Sequence, residues 1–291
     1  MDQTPLELLK SKGVDVVPNP YGRKLSEDEI ISHLQDIDGL IAGLEPLNGT
    51  VFQNCSQLRA IARVGIGMDN VDLDAAKASG IKVSNTPEGP TEAVAEITMA
   101  AALTLSRSIL PANKALHQKQ WSKSFGRGLK NSKVLIIGYG RIGRRVAELF
   151  RVFGAQIMVC DPLIKPKDLR NDLRLIELQQ GIESADIITL HAAGNDPILK
   201  SAEFKAMKKG VIILNSSRGS TIDEKALIGA LDIGKVASAW LDVFPEEPYT
   251  GELTEYDQVL LTPHMSTYSV QCRKDMEMAA VNNLLWDLGI E

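Results

Sequence analysis

The stretch Lys133-Val134-Leu135-Ile136-Ile137-Gly138-Tyr139-Gly140-Arg141-Ile142-Gly143 decides how this chain is read. Val134 to Ile137 form an uninterrupted apolar run rich in β-branched residues, which reads as a buried strand. The glycines that follow are spaced GxGxxG, and beyond them Ile142, Val146, Leu149, Phe150 and Phe153 recur on one face at helical spacing. Strand, glycine turn and helix in that order form a phosphate cradle. Gly138 permits the tight turn, Gly140 lets backbone approach a pyrophosphate, and Gly143 allows the helix to pack closely on the strand. Unpaired amides at the helix start then face the anion. Asp161 closes the next apolar run, 18 residues after Gly143, where a carboxylate accepts hydrogen bonds from a ribose diol and repels a 2′-phosphate. NAD is therefore the expected cofactor rather than NADP.

Outward from this turn, candidate strands at 133–137, 156–160, 186–190, 211–214, 236–241 and 259–261 alternate with amphipathic stretches. That is the pattern of a Rossmann-type doubly wound parallel α/β sheet. The first 90 residues repeat the alternation at lower contrast, with strand-like runs at 14–17, 39–42, 60–64 and 81–84. Ser26 and Glu29 form a capping-box signal for a helix over 27–35, and residues 6–10 read as an opening helix. Residues 85–90, with two prolines and a glycine, read as a linker into one long helix over 91–117.

The whole chain has 291 residues, 44% of them hydrophobic and 24% charged, with a formal net charge of −5. This composition excludes a disordered tail, a collagen-like repeat and a disulfide scaffold, and the length favours two domains. Three scattered cysteines do not make a metal site, and with no secretory signal they point to a cytoplasmic protein. The longest apolar uncharged run, 97–106, is too short to span a bilayer, so no membrane partner is expected. Residues 107–151 carry eleven Lys or Arg against one acid, Glu148. Without interleaved aromatics or a binding module this is not read as a nucleic-acid surface. A solvated or subunit-facing basic face, or a field attracting an anionic ligand, is expected instead.

In doubly wound sheets the ligand lies beyond the carboxyl ends of the strands. Asp161, His191, the run Asn215-Ser216-Ser217-Arg218-Gly219, Asp242 and Pro263-His264 all fall there. His33 and His117 lie on helices without polar neighbours and read as surface or packing residues. Reduction of a carbonyl by hydride needs a cation to polarise it and a proton donor that works near neutrality. Arg218 suits the first role because its planar fork binds a carboxylate in two places. His264 suits the second, and a neighbouring carboxylate would fix its tautomer. Glu246 and Glu247 are both candidates for that partner.

Together, ARVGIGMDNVDLDAAKASGIKVSNTPEG, TEAVAEITMA, VLIIGYGRIG with Asp161, LNSSRG, WLDVFPEEP and LTPH resemble the D-isomer-specific 2-hydroxyacid dehydrogenase family, most closely its D-3-phosphoglycerate dehydrogenase branch. The resemblance covers the chain from about residue 13. It implies an oxidoreductase that transfers hydride between NAD(H) and a small D-2-hydroxy acid, such as 3-phosphoglycerate. The rival readings are a glyoxylate or hydroxypyruvate reductase and a non-catalytic NAD(H)-sensing protein.

The resemblance further implies a catalytic set of Arg218, Glu247 and His264. It places Arg141 and Ile142 at the pyrophosphate, Ser216 on the cofactor and Asp242 against the nicotinamide. Val64 and Gly65 would offer consecutive amides, an anion nest for the substrate carboxylate. It also implies a flavodoxin-like α/β substrate domain made from 1–87 and 267–291, a NAD-binding domain over 88–266, closure between them, and a homodimer through 91–130. The family pattern opens on a strand before Thr4, which this sequence does not show, and Met265–Thr267 and LHAAGND also depart from it.

Overall fold

The computed structural model describes residues 3–194 and 196–290. The chain divides into two compact units, Met1–Pro90 with Tyr268–Glu291, and Thr91–Thr267.

The first unit is built on three parallel strands, β1 (Gly39–Ala42), β2 (Ala60–Arg63) and β3 (Lys82–Asn85), in the order β1-β2-β3. The two-residue period of β2 sorts its faces. Ile61 enters a core with Ile30, Leu34, Leu47, Val51 and Phe52, whereas Ala60 and Ala62 meet Ala280 and Leu284 on the helix Val270–Leu288. Small residues are needed on that second face. A side chain at Gly39 would come within 2.9 Å of Leu288 and 3.0 Å of Leu284. The helix Glu27–His33 starts with the expected capping box, both halves of which are formed by Ser26 and Glu29. Residues 14–17, expected as a strand, join no sheet. Val14 and Val16 pack instead against Val281 and Leu285, and Pro18 and Pro20 lack the amides that would extend a ladder.

The second unit carries seven parallel strands: β4 (Lys133–Ile137), β5 (Gln156–Cys160), β6 (Arg174–Leu175), β7 (Ile187–Leu190), β8 (Val211–Asn215), β9 (Val236–Leu241) and β10 (Val259–Leu261). Their order is β10-β9-β8-β7-β4-β5-β6, so the winding reverses between β4 and β7. Strands this apolar are covered on both faces, and buried clusters lie on either side of the sheet. The two-residue β6 was not foreseen, because it is too short for any periodicity.

The single helix expected over 91–117 is two helices, Pro90–Ser106 and Ile109–His117, bent by 65°. Ser108 takes the left-handed conformation (φ 52°), and Pro111 has no amide to continue the ladder. The returning chain exploits the break. The Arg127 amide donates to the Ser106 carbonyl at 2.7 Å, and Gly126 approaches so closely that a Cβ would lie 2.6 Å from the same oxygen.

Candidate active site

The glycine turn sits where the winding reverses, between the ends of β4 and β7. Gly138 has φ 90°, and a side chain there would come within 2.5 Å of the Ala192 amide. At Gly143 a side chain would lie 2.0 Å from the Gly138 carbonyl, so the turn and the helix Arg141–Val152 pack backbone on backbone. Gly140 is the N-cap, without a side-chain cap bond, and a Cβ there would point into open space. The first amides of the helix, from Arg141 and Ile142 onward, therefore remain for an anion.

Asp161 braces the turn itself. One carboxylate oxygen accepts from the Tyr139 amide at 2.7 Å and the other from the Leu163 amide at 2.8 Å. A carboxylate has about four acceptor positions, so capacity remains for a diol. The hydroxyl of Ser216, just beyond β8, is shielded from solvent without a hydrogen-bond partner, as is that of Ser266 beyond β10. These features fit a dinucleotide: an open glycine cradle, an acid at the end of β5 and an unmet buried hydroxyl.

The catalytic candidates lie on three loops that follow β8, β9 and β10. Asn215, 1% exposed, ends β8 and organises the first loop. Its side-chain oxygen accepts from the Ser217 amide (3.0 Å) and hydroxyl (2.8 Å), and its side-chain nitrogen donates to the Arg218 carbonyl (2.9 Å) and the Thr221 hydroxyl (3.2 Å). Arg218 is thus held by its backbone while its guanidinium stands at the loop, one nitrogen donating to the Ser217 carbonyl at 2.8 Å. Gly219 lets this loop lie against the next one. A side chain there would come within 2.0 Å of Phe244 and 2.3 Å of Pro245.

That neighbouring loop carries Glu247. One oxygen accepts from the Phe244 amide at 3.0 Å, and the other lies 2.8 Å from His264 Nδ1. The choice left open between Glu246 and Glu247 is thereby decided for the histidine pair. With Nδ1 facing a carboxylate, Nε2 is the nitrogen left to exchange a proton with a substrate.

His264 adopts φ 51°, uncommon for a residue with a side chain. Asp242 holds this segment on both sides. It is fully buried, and its carboxylate accepts from the Thr262 hydroxyl (2.6 Å), the Met265 amide (2.9 Å) and the Ser266 amide (2.8 Å). Trp240 completes the anchor through an indole N–H bond to Thr262 at 2.9 Å. The carboxylate expected against the nicotinamide is thus buried and engaged with the His264 segment.

His191 ends near the glycine turn, with Nε2 2.9 Å from the Thr189 hydroxyl. Burial pushes its ring well below the usual histidine range, which favours the neutral form. The nest expected at Val64 and Gly65 is not preformed. The Val64 amide donates to the Ala42 carbonyl at 2.9 Å and the Gly65 amide to the Thr86 hydroxyl at 2.7 Å. Among the described residues no group of three or more His, Cys, Asp or Glu side chains could hold a metal ion.

Comparison with known proteins places this arrangement. The NAD-binding domain of the D-isomer specific 2-hydroxyacid dehydrogenases matches residues 99–266. The chain belongs to that family. This member is 36% identical over 283 residues to D-3-phosphoglycerate dehydrogenase of Sus scrofa, an alignment covering 94% of the chain but 52% of that enzyme. It therefore spans about half the length of the phosphoglycerate dehydrogenases it matches. Against hydroxypyruvate reductase of Thermotoga maritima it is 33% identical over 300 residues, covering 100% of the chain and 96% of that enzyme. The crystal structure of the TT0316 protein from Thermus thermophilus superposes with a TM-score of 0.92 at 30% identity, covering 98% of this chain and 94% of that one.

Proposed function

We propose that this family member interconverts a small D-2-hydroxy acid and its 2-keto acid with NAD(H). The observation that carries the reading is the 2.8 Å pair of His264 Nδ1 and Glu247, set beside the Arg218 loop. Bound at the glycine turn, the nicotinamide cofactor supplies or accepts the hydride. Arg218 binds the substrate carboxylate and polarises the keto oxygen. His264 Nε2 gives a proton to that oxygen in reduction and takes it from the hydroxyl in oxidation, while Glu247 steadies the imidazolium. Because Val64 and Gly65 are already engaged, their part in holding the substrate requires those amides to exchange partners.

Relatives named hydroxypyruvate reductase, glyoxylate reductase and D-3-phosphoglycerate dehydrogenase support three substrates. Steady-state NADH oxidation with hydroxypyruvate, glyoxylate and 3-phosphohydroxypyruvate separates them. Turnover of none, with NADH still bound, would leave only a cofactor-sensing role.

A homodimer through 91–130 belongs to the same reading. Trp121 and Phe125 are 83% and 106% exposed on the returning segment, within the basic stretch. Exposed aromatics of this size are characteristic of interfaces. Light scattering on the protein and on a Trp121→Ser, Phe125→Ser variant checks it, the variant being expected to run as a monomer. The free thiols Cys55, Cys160 and Cys272 support a cytoplasmic setting. Among the described residues no single helix is long and apolar enough to cross a membrane.

A further inference from the structure

The loops beyond the carboxyl ends of the strands, with the first turn of the helix Arg141–Val152, account for the residues assigned above to catalysis or cofactor in the second unit. The opposite edge of the same sheet carries a groove that the dehydrogenase reaction does not use. It has a volume of about 760 Å³ and opens where β4, β5 and β6 begin. Its position is roughly a strand length, about 15 Å, from Asp161 at the far end of β5. Met158 and Ile176 line it on one face of the strands and Ile157 on the other, and Lys133, Arg151 and Arg174 line it with positive charge against one acid, Asp172.

Two details set this groove apart from an ordinary charged surface. Its one acid is shared, with Arg151 at 3.4 Å and Arg170 at 3.3 Å, while Lys133 and Arg174 take part in no ion pair among the described residues. The Nε of Arg151 is shielded from solvent and has no hydrogen-bond acceptor. A buried donor of that kind is costly unless something accepts from it. The volume falls within the range typical of sites for small organic molecules.

We propose that this groove is a second binding site, for an amphipathic organic anion: a phosphate or carboxylate held by Arg151, Arg174 and Lys133, with an apolar body lying against Met158 and Ile176. The Ser184 hydroxyl in the lining donates to the Gln180 carbonyl rather than to a base, so the site binds without transforming. Guanidinium groups favour planar or tetrahedral oxyanions, and the apolar lining distinguishes such a ligand from a bare inorganic ion.

Isothermal titration of the whole protein with 1-naphthyl phosphate, 2-naphthoate and 1-naphthol tests this, with NADH saturating so that the glycine turn is filled. Saturable binding of at least one anion but not of 1-naphthol is expected, and the better ligand names the oxyanion. Arg174→Gln and Lys133→Gln should each weaken it by about tenfold, the effect expected from losing one charge-assisted contact. Both side chains are exposed at the sheet edge, and unchanged NADH affinity in the variants shows that the fold is kept. No saturable binding to the wild type, equal binding of 1-naphthol, or undiminished affinity in the Lys133→Gln, Arg174→Gln double variant would overturn the proposal.

Discussion

The phosphate turn after β4 and the catalytic loops after β8, β9 and β10 are preorganised by opposite means. The turn is shaped by missing side chains, with Gly138 and Gly143 bringing backbone into contact that no Cβ would allow. The catalytic loops are held mainly by added hydrogen bonds, through Asn215, Asp242, Thr262 and Glu247. The first device leaves a regular trace in sequence. The second includes bonds between residues 20 or more positions apart, as Asp242 is joined to Thr262 and Met265, and these leave no spacing to recognise.

The two devices should fail differently, and the catalytic side should fail harder. Arg218→Ala removes the only proposed cation on the keto acid and is expected to lower kcat/KM by about 10³-fold or more, with NADH affinity unchanged in a fluorescence titration. Glu247→Gln keeps the shape of the pair but withdraws the negative charge from Nδ1. A loss of about 10²-fold in kcat, again with normal NADH binding, is expected. Loss of NADH binding in either variant would erase the division between the two regions.

On the cofactor side, Gly143→Ala drives a methyl group toward the Gly138 carbonyl, 2.0 Å away, and the turn must open. NADH affinity should fall by about tenfold or more, while kcat at saturating cofactor changes little. Asp161→Asn retains an acceptor but loses the charge, so the preference for NADH over NADPH should narrow, as the ratio of their KM values would show.

The smallest effect concerns His191. Its ring is held neutral by burial, whereas in the unfolded chain it titrates near its ordinary value, so the unfolded state binds the extra proton as the pH falls. Stability is therefore lost on acidification below that ordinary value. His191→Gln should flatten this part of a Tm-against-pH curve and leave the pH–rate profile in place. A displaced rate profile would make His191 a rival to His264.

Most of the fold of the second unit could be read from sequence because its strands are unbroken apolar runs. The expected ranges of β4, β5, β9 and β10 coincide with those found. Non-local contacts account for much of what escaped. The bend at Ser108 is met by Arg127, whose amide bonds to Ser106 across the break, and the buried carboxylate of Asp242 is met by the segment around His264. At Val64 and Gly65 the sequence indicated the backbone position but not that Ala42 and Thr86 already occupy both amides.

The central claim is that His264, aligned by Glu247, exchanges the proton that accompanies hydride transfer. Its most direct test compares wild type and His264→Ala by NADH oxidation with whichever 2-keto acid the wild type turns over best, alongside NADH binding by fluorescence. A fall in kcat of about 10² to 10⁴-fold with NADH affinity preserved is predicted. A variant that turns over at the wild-type rate would contradict the assignment.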